Sequence, residues 1–425
     1  MYVADSRADT PGAPTSADGA VRPSAGRRRA VVAPTVLALG TVSLVTDVSS
    51  EMVTAVLPLY LVTGLGLSPL GFGLLDGVYN GFSALVRLAG GHLADRGGGR
   101  HKWVAGFGYG ISALCKPLLL VAHSLTPIGL ILAADRTGKG LRTAPRDALI
   151  SLSSTPETRG RAFGVHRAMD TAGALLGPLV AFLILRATVD GYDAVFTVSF
   201  CVAVFGVLVL VLFVPGGRRE GDAAGDDTRP TLRAAVGLLR RRDLRRISVC
   251  ALLLGLATVS DSFVYLLLQR RLGVPDRWFA LLPLGTAAAF LLLAIPLGRL
   301  ADRVGRWTVF LAGHGALLVA YTLLLTSWHG TALPYLVLAL HGGFYAATDG
   351  VLMAAASEGV PEALRSSGLA VVQTGQALAR FACSLLFGAA WTVWGDRAAL
   401  VDAVVALAGC AAFSLTLRPK GTVTA

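Results

Sequence analysis

Gly91-His92-Leu93-Ala94-Asp95-Arg96-Gly97-Gly98-Gly99-Arg100-His101-Lys102 and Gly298-Arg299-Leu300-Ala301-Asp302-Arg303-Val304-Gly305-Arg306 are two versions of one phrase. Both read G-x-L-A-D-R, then Gly and Arg. Each is a short charged stretch between two long apolar runs. A phrase repeated in the same setting marks an internal duplication, and duplication is how many membrane folds are built.

The runs around the two loops set the solvent. Of 425 residues, 54% are hydrophobic and 15% charged, and the mean hydropathy is +0.64. A soluble domain carries roughly 25% charged residues. This chain cannot cover itself with a polar exterior, so its main surroundings must be lipid. The net charge of +12 would suggest nucleic acid in a soluble protein. Here the basic residues fall mostly in short loops between apolar runs, which makes the charge a topology signal and excludes a nucleic-acid partner. Cys115, Cys201, Cys250, Cys383 and Cys410 each lie in an apolar run without metal-ligand spacing, so no metal and no disulfide are expected.

A membrane span needs about 20 mostly apolar residues. Twelve stretches qualify: 34–63, 69–94, 102–122, 126–150, 160–187, 192–214, 247–270, 277–301, 307–327, 331–356, 364–392 and 397–417. The expected fold is therefore all-α, with twelve transmembrane helices in two six-helix pseudo-symmetric halves. Residues 1–32 read as a disordered tail and 33–214 as the first half. A linker with several arginines follows at 215–246, then the second half at 247–418 and a tail at 419–425. Lys and Arg favour the cytoplasmic side. Placing the amino terminus inside puts Arg96, Arg100, Arg159, the linker cluster, Arg303 and Arg306 inside, whereas the outer loops TGLGLSP, VAHSLTP and TSWHG have no Lys or Arg; Arg270, Arg271, Arg277 and Arg397 fall outside, against the bias. Both termini are then cytoplasmic.

The paired loops, the span count and the central linker together resemble the major facilitator superfamily, whose signature loop is G-x-L-A-D-R-x-G-R. The first copy departs by one extra Gly before Arg100. The resemblance implies alternating access in a bacterial plasma membrane, by a monomer without cofactors. It also implies gating roles for Gly91, Asp95, Arg96, Arg100, Gly298, Asp302, Arg303 and Arg306. Asp95 would contact the start of the eleventh span, and Arg100 would meet an acid at the end of the fourth, for which Asp147 is the candidate. Gly91 and Gly298 would let helices approach closely. Arg136-Thr137-Gly138-Lys139-Gly140 is similar to the family's R-x-x-Q-G pattern, with Lys139 in place of Gln. Gly173-Ala174-Leu175-Leu176-Gly177-Pro178 is similar to the G-x-x-x-G-P pattern of its antiporter branches, and leans toward export.

An ionisable residue inside a span costs roughly 3 kcal/mol on insertion scales, and it usually faces a cavity or a partner. Asp47 and Glu51 are four apart, on one face of the first span. Two carboxylates this close in a low dielectric resist being ionised together, so the pair is a candidate proton or cation site, with Arg136 to tune it. Asp261, between two serines near the middle of the seventh span, is a second candidate. At about 100° per residue, Lys139, Arg142 and Arg146 share a stripe of the fourth span. With Asp170, Asp349, Gln373 and Gln376 they are the candidate substrate-cavity residues. The competing reading is a structural salt-bridge network across the first, fourth and fifth spans.

No phosphate loop and no catalytic constellation occurs, which argues against ATP-driven pumping and against an enzyme. The leading expectation is proton-coupled export of a drug-like or metabolite molecule. The alternatives are an importer of a polar or anionic nutrient, with Lys139, Arg142 and Arg146 as a clamp, and a non-transporting sensor or scaffold.

Overall fold

The computed structural model describes residues 33–96, 101–188, 191–215, 241–328, 330–349, 351–352, 356 and 365–417, with backbone alone at 87–96, 365–371 and some single positions. The expected tails, most of the expected linker and Arg100 lie outside the described residues.

The chain is a set of helices joined by short turns. In the first group α1 (Pro34–Leu59) runs into a π-helical turn at Tyr60–Gly64. It is followed by α2 (Pro69–Arg96), α3 (His101–Val121), α4 (Leu125–Leu152), α5 (Pro156–Ala187) and α6 (Gly191–Phe213). The second group comprises α7 (Arg242–Ala257), α8 (Asp261–Leu272), the single turn α9 (Asp276–Phe279), α10 (Leu282–Val304) and α11 (Arg306–Leu325). It ends with α12 (Leu333–Thr348), α13 (Arg365–Trp394) and α14 (Asp396–Thr416). Helices are the expected outcome, because a spanning segment must satisfy its backbone hydrogen bonds internally. Among the described residues, nine helical segments are long and apolar enough to cross a membrane. α4 falls short of that measure because it carries six charged residues.

The outer faces are strongly apolar. Leu292 is 77% exposed and Leu212 72%, an arrangement that water would penalise and lipid does not. Inside, α1 lies against α5 and α6, α3 against α4 and α6, and α2 against α4. In the second group α12 lies against α10 and α11, and α13 against α7 and α14. The principal seam between the groups is α2 against α13. Glycines make it tight: a Cβ on Gly73 would fall on the Ser384 carbonyl, and one on Gly388 on the Pro69 carbonyl. The Leu70 N–H donates to Thr392 Oγ1 at 2.9 Å. Phe263 packs on Phe72 and on Phe387, each with ring centroids 4.9 Å apart, and Phe182 lies 5.1 Å from Trp278. These contacts shut the end of the molecule that carries the 65–68 and 273–275 loops.

Two boundaries differ from expectation. α7 begins at Arg242, so Arg242, Arg245 and Arg246 belong to its first turns rather than to the linker. Long arginines at a helix end can reach the polar interface while their stems stay in apolar surroundings. The seventh span, expected as one run over 247–270, is broken: α7 stops at Ala257 and α8 starts at Asp261. Asp261 is therefore not mid-helix but the first residue of a half-helix. Tyr321 of α11 supports the break. Its hydroxyl accepts from the Val259 N–H at 2.9 Å and donates to the Val259 carbonyl at 3.4 Å. A broken helix is tolerated at membrane depth where other protein groups take up the freed backbone or where it lines a cavity.

Candidate functional site

The break opens onto a cavity of about 390 Å³ between the two groups of helices. Its polar wall comes from α1 (Glu51, Thr54), α2 (Asp76, Tyr79, Asn80), the break and start of α8 (Thr258 to Ser262), and α12 and α13 (Tyr345, Asp349, Arg380). Four carboxylates (Glu51, Asp76, Asp261 and Asp349) face one guanidinium, Arg380.

Asp261 is held by α12. Tyr345 Oη donates to Asp261 Oδ1 at 2.5 Å, and His341 Nε2 lies 3.0 Å from the same oxygen. His341 is fully buried and its Nδ1 has no partner among the described residues. Tyr265, one helical turn along α8, donates to Thr286 Oγ1 at 2.9 Å. The break, the tyrosines and the histidine thus present a carboxylate at the cavity wall in one orientation. A half-helix amino terminus beside it adds the positive end of a dipole.

The charges of the first group form a network. Asp47 of α1 stands 3.2 Å from Arg142 of α4, and Glu51 3.7 Å from Lys139. Arg146 reaches Asp170 of α5 at 3.6 Å, its neighbour Asp147 at 3.1 Å, and Ser43 Oγ at 3.3 Å. Ser43 Oγ is 2.9 Å from His166 Nε2. Asp135 is clasped by Lys116 at 2.7 Å and Arg136 at 2.8 Å, and it accepts from Ser112 at 2.6 Å. Arg136 stacks over the Tyr79 ring at 3.8 Å, and Arg142 over Tyr109 at 4.4 Å.

This geometry redistributes the expected roles. Asp47 and Glu51 each have a cation of their own, Arg142 and Lys139, and Asp47 also shares a hydrogen bond with Asp170. In the fourth-span stripe Lys139, Arg142 and Arg146 pair with carboxylates of α1 and α5, and neither they nor Asp170 are among the residues that line this central cavity. The helix positions are as the periodicity implied, but the stripe turns toward α1 and α5 because acids wait there. Of the expected cavity residues, Asp349 does line the central cavity, and Gln376 lines a small neighbouring one with Arg380 and His314. Gln373 lines neither. Of the expected coupling residues, Glu51 and Asp261 reach the cavity, whereas Asp47 and Arg136 do not.

In the second signature stretch Asp302, on the last turn of α10, is 3.6 Å from Arg306, the first residue of α11, and Arg303 is exposed. Gly298 makes no close approach, since a Cβ there would meet nothing within 4 Å. Gly91, Asp95 and Arg96 lie on the final turns of α2, where the backbone alone is described. Asp147 pairs with Arg146, and its expected partner Arg100 lies outside the described residues. Gly173 and Gly177 pack against the Leu44 and Val48 carbonyls of α1, so the G-x-x-x-G-P stretch is a packing seam between α5 and α1.

The site features that the sequence reading missed are Asp76, Tyr345 and the break at Thr258–Ser260. For Asp76 the signal was present, as a carboxylate in an otherwise apolar span. The break had a weaker one, the Thr258–Ser262 run of small polar residues around Asp261.

A family model described as Major Facilitator Superfamily matches residues 39–384 and 279–423. An uncharacterized MFS-type transporter of Methanocaldococcus jannaschii is 29% identical over 379 residues, covering 87% of this chain and 91% of that protein. An uncharacterized protein of Mycobacterium tuberculosis is 33% identical over 174 residues, 41% of each chain. Among solved structures, the inward-facing, unoccupied form of a bacterial homolog to the human lysosomal transporter Spinster superposes with a TM-score of 0.72. It is 16% identical and covers 90% of this chain and 96% of its own. The nucleoside transporter NupG gives a TM-score of 0.75 at 12% identity, covering 90% of this chain and 98% of its own. With its apolar helices, its central cavity and these matches, the chain belongs to the major facilitator superfamily, a family of multi-pass membrane transporters of small molecules and not of enzymes.

Proposed function

We propose that this protein is a proton-coupled exporter of a small, positively charged, drug-like or metabolite solute. It would work as a monomer in a bacterial plasma membrane, with both termini cytoplasmic and its six-helix halves at 33–214 and 247–418. The observation that carries the reading is the cavity wall: with Glu51 matched by Lys139, the three carboxylates Asp76, Asp261 and Asp349 stand against Arg380. Fixed charge of one sign in a low-dielectric cleft concentrates ions of the other sign. The buried cations that would serve an anion clamp, Lys139, Arg142 and Arg146, are already matched by Glu51, Asp47 and Asp170. This weighs against import of an anionic nutrient. Of the expected coupling residues, Glu51 and Asp261 are the carboxylates that a solute in the cavity could reach. Asp47, Arg136, Asp135 and Asp170 hold the helices of the first half in register. The signature loops, including Asp95 with Arg100 and Asp302 with Arg306, act at the cytoplasmic face as gates. Export is supported by the resemblance of the Gly173–Pro178 stretch to antiporter branches.

The test is a solute panel in proteoliposomes with an imposed pH gradient. Quaternary ammonium and amine solutes should move against the proton gradient, with neutral and anionic analogues left behind. Preferential transport of an anion would overturn the charge assignment, and transport indifferent to the gradient would overturn the coupling.

A further inference from the structure

Among the described residues three carboxylates are buried: Asp47, Asp76 and Asp135. Asp47 has Arg142, and Asp135 has Lys116 and Arg136. Asp76 is 6% exposed and has no ion pair among the described residues. Its hydrogen bonds come from neutral groups, the Ser384 hydroxyl at 2.7 Å and the Ser260 and Ser262 side chains. A carboxylate charge withdrawn from water with no cation beside it is among the least favourable arrangements a membrane protein can hold. Two things relieve it: a proton, or water and cations admitted to it. Asp76 lines the central cavity, so both can arrive.

Its position makes the choice mechanical. Ser384 belongs to α13, and its carbonyl is the atom that Gly73 of α2 would strike if it carried a Cβ. Gly77, the residue after Asp76, abuts Phe381. Asp76 therefore sits at the tightest part of the seam that closes one end of the cavity. Uncharged, it fits a dry glycine-lined contact. Charged, it favours a state in which more water surrounds it than the cavity edge supplies, and parting of α2 from α13 provides that state.

The other ionisable groups around it do not supply the missing cation. On α13 these are Cys383 and, farther along the cavity, Arg380. On α4 Asp135 and Arg136 pair with each other. From α1 Glu51 is matched by Lys139. From α8 Asp261 adds a second negative charge, beside Ser260 and Ser262, and Asp349 of the cavity wall adds another.

We propose that Asp76 is the group at which the proton is exchanged, and that its charge sets whether the α2–α13 seam is shut. The idea rests on the proton-coupled reading above and names a residue for it. The protonated form holds the outer face closed, and loss of the proton opens it.

The test uses the full chain in intact cells with a cysteine at Ala287, a cavity-lining position on α10. A membrane-impermeant maleimide is applied from outside in acid and in alkaline medium. Labelling is counted over the native cysteines and normalised to the same chain with Ser68→Cys, an exposed position beside the seam. With Asp76 intact, labelling should rise several-fold from acid to alkaline medium. Asp76→Asn should stay at the acid level throughout, and Asp76→Glu should regain a pH response. An Asp76→Asn chain that opens with pH as the parent does would overturn the proposal, and so would a parent that never labels. A parent whose labelling ignores pH would instead remove the proton-coupled reading on which the proposal stands.

Discussion

The Ser384 hydroxyl of α13 donates to the Asp76 carboxylate of α2 at 2.7 Å, joining the two groups of helices. Beside it the backbones of the two helices touch through Gly73 and Gly388. The seam is therefore both a packing contact and the wall of the cavity. Changes in shape and changes in charge there should have separable effects.

Shape comes first. Gly73→Val should force α2 from α13, because its Cβ would meet the Ser384 carbonyl. Backbone cannot yield as a side chain can, and overpacking of this kind typically costs about 1–3 kcal/mol. Labelling of a cavity cysteine from the outer face should rise in all media. Gly110→Ala, where a Cβ meets nothing within 4 Å, should leave labelling unchanged.

The buried triad of Asp135, Lys116 and Arg136 is predicted to be structural. Asp135→Asn leaves two cations in a site where the side chains are less than a tenth exposed. Removing one partner of a buried pair costs about 3–5 kcal/mol. The thermal midpoint in detergent should fall sharply, and less protein should reach the membrane. An unchanged midpoint would mean that the triad does not hold α3 to α4.

The two acids of α1 should differ in the same assay. Asp47 is 3.2 Å from an almost fully buried Arg142, whereas Glu51 and Lys139 are 3.7 Å apart, with side chains 27% and 34% exposed. Asp47→Asn should destabilise by about 3 kcal/mol and Glu51→Gln by under about 1 kcal/mol. Glu51→Gln should instead weaken transport, because Glu51 faces the cavity. Equal loss of stability in both would contradict the division of roles.

Much of this was legible in the sequence. The paired loops at Asp95 and Asp302 and the apolar runs identify the fold, because lipid leaves a chain few ways to satisfy its backbone. The buried charges were also legible, and a salt-bridge network across the first, fourth and fifth spans was one of two readings of them, but not which acid meets which base. Periodicity put Lys139, Arg142 and Arg146 on one face of α4; only the packing of α1 and α5 against that face shows that acids neutralise it. The break before Asp261 was hidden, because Thr258-Val259-Ser260 is compatible with a continuous helix and Tyr321, which supports the break, lies 62 residues away. Asp76 read as one charge among many, and its lack of a cation is visible only when its neighbours are known.

Tyr345 offers a test of the Asp261 site. Its hydroxyl is the shortest contact to that carboxylate, and a hydrogen bond to a charged group contributes about 1.5–3 kcal/mol. Tyr345→Phe should weaken the apparent affinity for a transported cation by roughly tenfold or more on that scale, with expression unaffected. Asp261→Asn should abolish gradient-driven transport. If Tyr345→Phe transported like the parent, Asp261 would not be the group that meets the solute.

The central claim is that a cation and a proton exchange through the acidic cavity. It is tested most directly by following both in the same proteoliposomes, with an entrapped pH dye and a labelled quaternary ammonium. The account predicts that adding the cation on one side drives protons to that side, in proportion to the cation taken up. It also predicts that neutral and anionic analogues drive none. Cation movement without proton movement, or proton movement driven by an anion, would contradict it.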